Sequence, residues 1–378
     1  MLFRRLEASR ADACRGTGCF EDAHTVRVHL AADSQEIRLI ASHVLIATGS
    51  SPVRPRLFPF GDRGIYDSDS ILELDRLPKS LAVIGGGVIG SEYACTFAAL
   101  GTRVHLIDSR DVLLPFLDHE VSRALAAAME RGGVEFHWNE RAESCLSHGA
   151  DGFDLSLSSG KSVAAEAVLV AAGRKSNTGT LNLPAAGVAA NDRGLIAVNE
   201  HYQTQAPHIY AAGDVIGFPA LASTSMQQAR IAMRHAFGEH CEAAVSTVLP
   251  AGIYTIPEAG MVGETEEALR QKGVDYAIGR APYHANPRGR IIGDPDGFLK
   301  LLFHRGDMKL LGAHVVGELA TELVHLGMMG MMAGFTADTY AEMCFNIPTL
   351  GDLYKLAALD ALSRVRNGRP LVEEEGAR

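Results

Sequence analysis

Residues 81–94 read Leu-Ala-Val-Ile-Gly-Gly-Gly-Val-Ile-Gly-Ser-Glu-Tyr-Ala: a short apolar run, a glycine cluster, then helix-compatible residues. No other stretch restricts the fold so tightly. Gly85, Gly87 and Gly90 fall at G-x-G-x-x-G spacing. The first serves a sharp strand-to-helix turn, the second lets backbone approach a pyrophosphate, and the third lets the helix pack closely on the sheet. Val88 and Ile89 open that helix, whose free N–H groups and dipole favour phosphates. A second strand, Arg103–Ile107, ends in Asp108, at the offset where a carboxylate meets an adenosine ribose. Strand, turn, helix, strand and acid together form a βαβ dinucleotide-binding element.

The chain has 378 residues, 47% of them hydrophobic, which exceeds one ordinary core and points to two or three domains. A net charge of −10 with no Lys/Arg-rich run argues against a nucleic-acid surface. Arg4, Arg5 and Arg10 read as a solvated helix face. No apolar stretch is long enough for a membrane-spanning helix and no signal-peptide core follows Met1, so a reducing cytoplasm is the expected location. The six cysteines form no secreted disulfide framework.

Val26–Leu30 and Glu36–Ile40 alternate as a β-hairpin, whereas residues 1–24 show no clear period. Val44–Ala47 is a buried strand running into Thr48-Gly49-Ser50. A short helix capped by Asp67 or Ser68 is predicted over 67–77, another near 118–131, and strands at 134–138, 153–157 and 167–171. Val168–Ala172 leads into Gly173-Arg174 as the earlier strand leads into Thr48-Gly49. Ile209–Ala212 ends at Gly213-Asp214, and a helix over 221–237 follows. Beyond about residue 247, the runs Phe298–Phe303 and Leu310–Val316 and helices near 318–333 and 350–364 suggest a separate α+β domain. Glu373–Glu375 read as a frayed tail.

Asp214 could accept hydrogen bonds from a sugar-like hydroxyl chain, or it could be an N-cap; spacing does not separate the two. Asp108 would accept the 2′-OH of NAD, whereas Arg110 would welcome the 2′-phosphate of NADP, so either cofactor is admissible. A surface ion pair is the plainer reading of Arg110. Cys14 and Cys19 form a C-x4-C with no helix start beside them, a poor setting for a redox pair. Cys95, Cys145, Cys241 and Cys344 read as small apolar fillers. The fifteen histidines show no pair at metal-ligand spacing beside cysteines or carboxylates, and His235 and His240 are too isolated to count, so no metal is expected. Gly327–Met332 reads as an adaptable packing face or subunit interface.

Ala47-Thr48-Gly49, Gly85–Ala94, Gly173-Arg174, Gly213-Asp214, Tyr254–Glu258 and Pro348-Thr349 occur in the order seen in the FAD-dependent pyridine nucleotide-disulfide oxidoreductases. From about residue 15 to 365 the chain resembles that family. The resemblance implies an α/β fold of Rossmann-like nucleotide-binding domains, with an NAD(P) domain inserted in an FAD domain and a C-terminal α+β dimerisation domain. The implied segments are 1–78 and 201–246 for FAD, 79–200 for NAD(P) and 247–378 for the dimer. FAD would lie against Ala47, Thr48, Gly49, Gly213, Asp214 and Ala222. The nicotinamide nucleotide would lie against Gly85, Gly87, Val88, Ile89, Gly90, Asp108, Arg110, Gly173 and Arg174. Glu92 would sit near the nicotinamide, although a helix-surface acid is its plainer reading. Nicotinamide nucleotides and a second copy of the chain are the implied partners.

Two departures carry information. Disulfide-reducing relatives have His before the Pro-Thr pair and Glu three residues after the Thr; the matching positions here are Ile347 and Asp352. Isoleucine cannot move a proton. Cys14 and Cys19 also fall after the region that holds the family's redox pair. Tyr66–Ser70, Phe303-His304-Arg305 and Phe345-Asn346 resemble the branch that passes hydride between nicotinamide couples, from NADPH to NAD+, through a flavin. That is the expected function, with no catalytic side chain assigned; dihydrolipoamide dehydrogenase-like chemistry and an inactive nucleotide-binding remnant are the alternatives. The second departure is that the family's first glycine fingerprint, which holds the FAD pyrophosphate, has no counterpart before Ala47. Roughly a hundred residues of the pattern, about half a domain, are missing. An incomplete FAD domain is therefore expected, from a fragment or a misplaced start, since losing the first strand of a parallel sheet bares its ladder edge.

Overall fold

A computed structural model describes residues 6, 8, 9, 11–32, 35–239 and 245–367. Arg4, Arg5, Arg10, His240, Cys241 and Glu373–Glu375 lie outside the described residues. The chain divides into two compact units, one of residues 1–53 and 174–246, the other of residues 54–173 and 247–378.

The first unit opens with an antiparallel meander of Gly16–Phe20, Thr25–Leu30 and Glu36–Ile40. The latter two are the expected hairpin. The first strand gave no signal because only Phe20, at its end, is apolar and buried. Val44–Ile46 pairs in parallel with Ile209–Ala211, and Ser50–Pro52 pairs antiparallel with Arg174–Ser176. A helix over Ala222–Ala236 completes the unit. Phe20, Ile46, Leu183, Ile196, Ile209 and Val215 share its core.

The second unit contains a parallel five-stranded sheet. Its strands are β1 (Ile65–Asp67), β2 (Ser80–Ile84), β3 (Arg103–Asp108), β4 (Val134–Trp138) and β5 (Ala167–Val170). Their order is β1-β5-β2-β3-β4, so β4 is an edge. Helix α1 (Val88–Ala99) links β2 to β3, and α2 (His119–Arg131) links β3 to β4. Asp118 caps α2 by accepting the Glu120 N–H at 3.0 Å. Val121, Leu125 and Met129 recur every four residues and bury the face of α2 against Leu106 and Val134. On the opposite face of the sheet, an antiparallel meander of 142–147, 153–157 and 162–165 buries Phe153, Leu155 and Val163 with Ile107 and Val168.

The helix expected over 67–77 is a single 3-10 turn, Ser70–Glu73, and neither Asp67 nor Ser68 is its N-cap. Asp67 is buried and accepts from the Asp69 and Ser70 N–H groups at 3.0 and 2.9 Å, and from Arg54 Nε at 2.6 Å. These bonds hold a turn rather than start a helix.

The C-terminal part of this unit is an antiparallel sheet of 251–253, 259–263, 310–316, 298–304 and 276–282, in that spatial order. Helices Ala320–Ala333 and Leu353–Asn367 pack on it. At its junction with α2 the ammonium of Lys300, 1% exposed, lies 2.9 Å from both carboxylate oxygens of the fully buried Asp118 and 2.6 Å from Glu266 Oε2. Glu120 Oε2 stands 3.1 Å away. Burial pushes the Lys300 pKa down, but Asp118 and Glu266 outweigh it, and the net direction is up.

Cys95 is buried and Cys145 partly so, as expected of fillers, whereas Cys344 is exposed. In the Gly327–Met332 stretch, Met328 and Met331 pack on the core while Met329 and Met332 face solvent.

Candidate functional site

In the second unit the glycine elbow is built by contacts that only glycine permits. Gly85 adopts φ 103°, and a Cβ there would meet the Ala171 carbonyl oxygen at 2.7 Å. A Cβ on Gly90 would lie 1.8 Å from the Gly85 oxygen, so α1 can rest on the turn only without one. Gly87, the N-cap of α1, has open space for 4 Å around the point where a Cβ would stand, and no side chain caps the helix. The N-terminus of α1, at Val88 and Ile89, is therefore open to a ligand that supplies acceptors. This cradle fits a nucleotide pyrophosphate.

Asp108 ends β3 beneath the elbow, 5% exposed. One oxygen accepts the Gly86 N–H at 2.5 Å, and the pair accepts Arg110 Nε and Nη2 at 2.9 and 2.6 Å. Burial raises its pKa, but these bonds outweigh burial and hold it below the ordinary carboxylate range. Arg110 is thus ion-paired with a buried carboxylate rather than with a surface one, and the pair stands at the C-terminal end of β3. Glu92, on α1, accepts the Tyr254 N–H at 2.9 Å, and Cys95 Sγ reaches the Ile256 carbonyl at 3.7 Å. Tyr254–Glu258 therefore runs along α1, a placement that the motif alone did not reveal.

Burial raises the Glu92 pKa, and the Tyr254 N–H only partly opposes it. A raised folded-state pKa favours the folded protein below the unfolded value, about 4.3, and that advantage is lost as pH rises through the folded value. Glu92→Gln keeps the acceptor without the charge. The variant is expected to be more stable than the native chain at pH 7.5 and equal to it near pH 4, as read from urea midpoints.

In the first unit, Ser50 ties the other signatures together. Its hydroxyl donates to Asp214 Oδ2 at 2.5 Å and accepts Arg174 Nε at 2.8 Å, while Arg174 Nη2 donates to the Ser50 carbonyl at 2.7 Å. Thr48 Oγ1 donates to the Asn177 carbonyl at 2.9 Å, and Asn177 Nδ2 returns a bond to the Thr48 carbonyl at 3.0 Å. Ser50 and Asn177 carried no motif of their own and emerge only from strand pairing. Asp214 lies inside the turn Gly213–Ile216 and makes no side-chain cap, so the N-cap alternative is not what forms. Gly213, at φ 80°, donates its N–H to Gln228 Oε1 at 2.8 Å. Ala47, Thr48 and Ala222 are exposed, and Gly49 at φ 68° has open space where a side chain would be. Polar groups and bare backbone of this kind fit the hydroxylated chain of a flavin nucleotide.

Ile347 is 62% exposed, and Asp352 is buried at the Asn286 amide, 3.5 Å away. Cys14 is exposed and Cys19 sits in the first strand, both as free thiols.

Residues 3–236 match the model of the pyridine nucleotide-disulphide oxidoreductases, and residues 249–358 match that family's dimerisation domain. The chain belongs to this family of oxidoreductases, which work with FAD and nicotinamide nucleotides. Among its relatives is a soluble pyridine nucleotide transhydrogenase of Mycobacterium tuberculosis, 43% identical over 362 residues, 96% of this chain and 77% of the relative. A protein of the same description from Pectobacterium atrosepticum is 42% identical over 95% of this chain and 77% of its own length. Among solved structures, the HOCl-induced flavoprotein disulfide reductase RclA of Escherichia coli superposes with a TM-score of 0.87 at 29% identity, covering 94% of this chain and 81% of that one.

Proposed function

We propose that the protein transfers hydride from NADPH to NAD+ by way of FAD, as a transhydrogenase without thiol chemistry. The observation that carries this reading is Ile347, a solvent-facing side chain with nothing to titrate, at the position where disulfide-reducing relatives place an acid–base histidine. The elbow at Gly85–Gly90 would hold the pyrophosphate, and Thr48, Gly49, Gly213 and Asp214 would hold the flavin's hydroxylated chain. Bound FAD supplies a two-electron carrier that one nicotinamide can load and another unload.

The Asp108–Arg110 pair would let one site serve both coenzymes. NAD draws on the carboxylate through its 2′-OH, whereas NADP draws the guanidinium away from Asp108 onto its 2′-phosphate. Arg110→Ala is expected to weaken NADPH roughly 10–100-fold, the loss of one or two charge-assisted bonds, while sparing NADH. Steady-state KM values for the two coenzymes check this.

The pairing partner would be a second copy joined through the region of residues 249–358, which the exposed Met329, Met332 and Ile347 support. Among the described residues no helix is long and apolar enough to cross a membrane, in keeping with action in the cytoplasm. The test is reduction of a thio-NAD+ analogue by NADPH with FAD supplied and no thiol present. Parallel-line ping-pong kinetics are expected. Turnover that appears only on adding dihydrolipoamide or a disulfide would replace this reading with disulfide reduction, and absence of a bound flavin band would favour the inactive remnant.

A further inference from the structure

On the face of the parallel sheet opposite α1 and α2, the edge strand β4 and its neighbour β3 bring together three potential ligands. His105 on β3 is in register with Glu135 on β4, and His137 follows two residues later on the same face. His105 Nδ1 lies 3.1 Å from His137 Nε2 and 3.2 Å from Glu135 Oε2, and His137 Nε2 lies 3.5 Å from Glu135 Oε1. Among the described residues this is the one group of three or more such side chains whose ligand atoms converge.

The chemistry of the triangle is more specific than that of a hydrogen-bond network. A proton on each ring could serve the two Glu135 edges, one carboxylate oxygen apiece, but it would leave two N–H groups facing each other across the 3.1 Å His105–His137 edge with no acceptor between them. Three lone-pair donors around a single dication satisfy all three edges together. For bonds of about 2.0–2.1 Å at tetrahedral angles, ligand atoms stand roughly 3.3–3.4 Å apart, close to the spacing already present. The imidazole side chains are 13% and 12% exposed and so largely preorganised, whereas Glu135 is 60% exposed and leaves a solvent-open fourth position. Arg103, on the same face, is exposed to solvent.

We propose that His105, His137 and Glu135 form a binding site for a divalent borderline metal ion of the Zn2+ type, clipping the edge strand to its neighbour. Two imidazoles and a carboxylate with one open position suit zinc better than Ca2+ or Mg2+, which prefer all-oxygen shells. Sequence spacing offered no sign of this group, because its members come from two strands about thirty residues apart in sequence and meet only through sheet register. The clip sits three residues, about 10 Å, short of Asp108 along β3.

Trp138, the only tryptophan of the chain, follows His137 and reports on the site. The test uses chelator-stripped full-length protein with exposed Cys14 and Cys344 changed to serine. Zn2+ is titrated in competition with a chromophoric chelator, and Cu2+ quenching of Trp138 is followed in parallel. One equivalent of Zn2+ per chain is expected, with a quenching endpoint at the same stoichiometry. His105→Gln and His137→Gln should each weaken Zn2+ on the order of 10–100-fold, with His148→Gln as a silent control. Circular dichroism identifies any variant that fails to fold, and the native-chain quenching then decides alone. Binding unaffected by both substitutions, or no stoichiometric quenching in the native chain, overturns the proposal.

Discussion

Lys300→Ala is expected to destabilise the second unit by about 3–5 kcal/mol, because it strands the fully buried Asp118 without a counter-charge and leaves Glu266 only its pair with Arg270. The loss is electrostatic more than steric, so Lys300→Met, which keeps the stem's volume, should lose nearly as much. A stranded buried carboxylate has a raised pKa. Both variants should therefore regain stability as the pH falls and the two acids take up protons, opposite in sign to a simple acid-labile fold. Urea transitions at pH 7.5 and 5 read this directly. A change below about 1 kcal/mol at pH 7.5 would place the ammonium among the weak surface pairs. Should Lys300→Ala not fold, Lys300→Met combined with Asp118→Asn and Glu266→Gln removes the stranded charges and is expected to recover most of the loss.

Gly90→Ala and Gly87→Ala are expected to separate what folding needs from what binding needs. At Gly90 the new Cβ overlaps the Gly85 oxygen at 1.8 Å, and a Cβ has no rotamer by which to escape. Helix α1 must lift from β2, costing about 1–3 kcal/mol or more as an overpacked contact. The displaced N–H groups should raise nucleotide Kd at least about tenfold, the equivalent of 1.4 kcal/mol. At Gly87 nothing lies within 4 Å and φ is −75°, so the free protein should keep its melting temperature. The methyl would instead stand where backbone must approach the pyrophosphate, and binding should fall with no loss of stability. Thermal melts with and without NADH distinguish the two outcomes. Equal losses of stability in both variants would mean that Gly87 is structural.

The βαβ element was legible because its signals are local: an apolar strand, spaced glycines and a terminal acid all within residues 81–108. Helix α2 was legible through the apolar repeat of Val121, Leu125 and Met129. Strands 142–147 and 162–165 were not, since they are short, carry few bulky apolar residues and gain their sides only from the strand between them. Strands 259–263 and 276–282 were hidden for another reason. Gly260 and Gly279 must be small because helix backbones press on them: a Cβ would meet the Ala320 oxygen at 2.7 Å and the Ala357 oxygen at 1.9 Å. Close helix contact thus removed the bulky residues by which strands are usually read. In the candidate sites, Asp108 and Asp214 were identified as single residues. Arg110 stood two residues from Asp108 and was read with it, but Ser50 and Gly86 were not read as partners, because Ser50 reaches Asp214 across 164 positions and Gly86 reaches Asp108 across 22.

Those two separations also order the assembly of the molecule. By the logarithmic dependence of loop closure on length, joining Ser50 to Asp214 costs roughly 2 kcal/mol more chain entropy than joining Gly86 to Asp108. During synthesis the parallel sheet, complete by Val170, leaves the ribosome before Ile209 can reach its partner Val44. The parallel sheet can therefore form while Val44, translated long before it, still waits for its partner strand to be made.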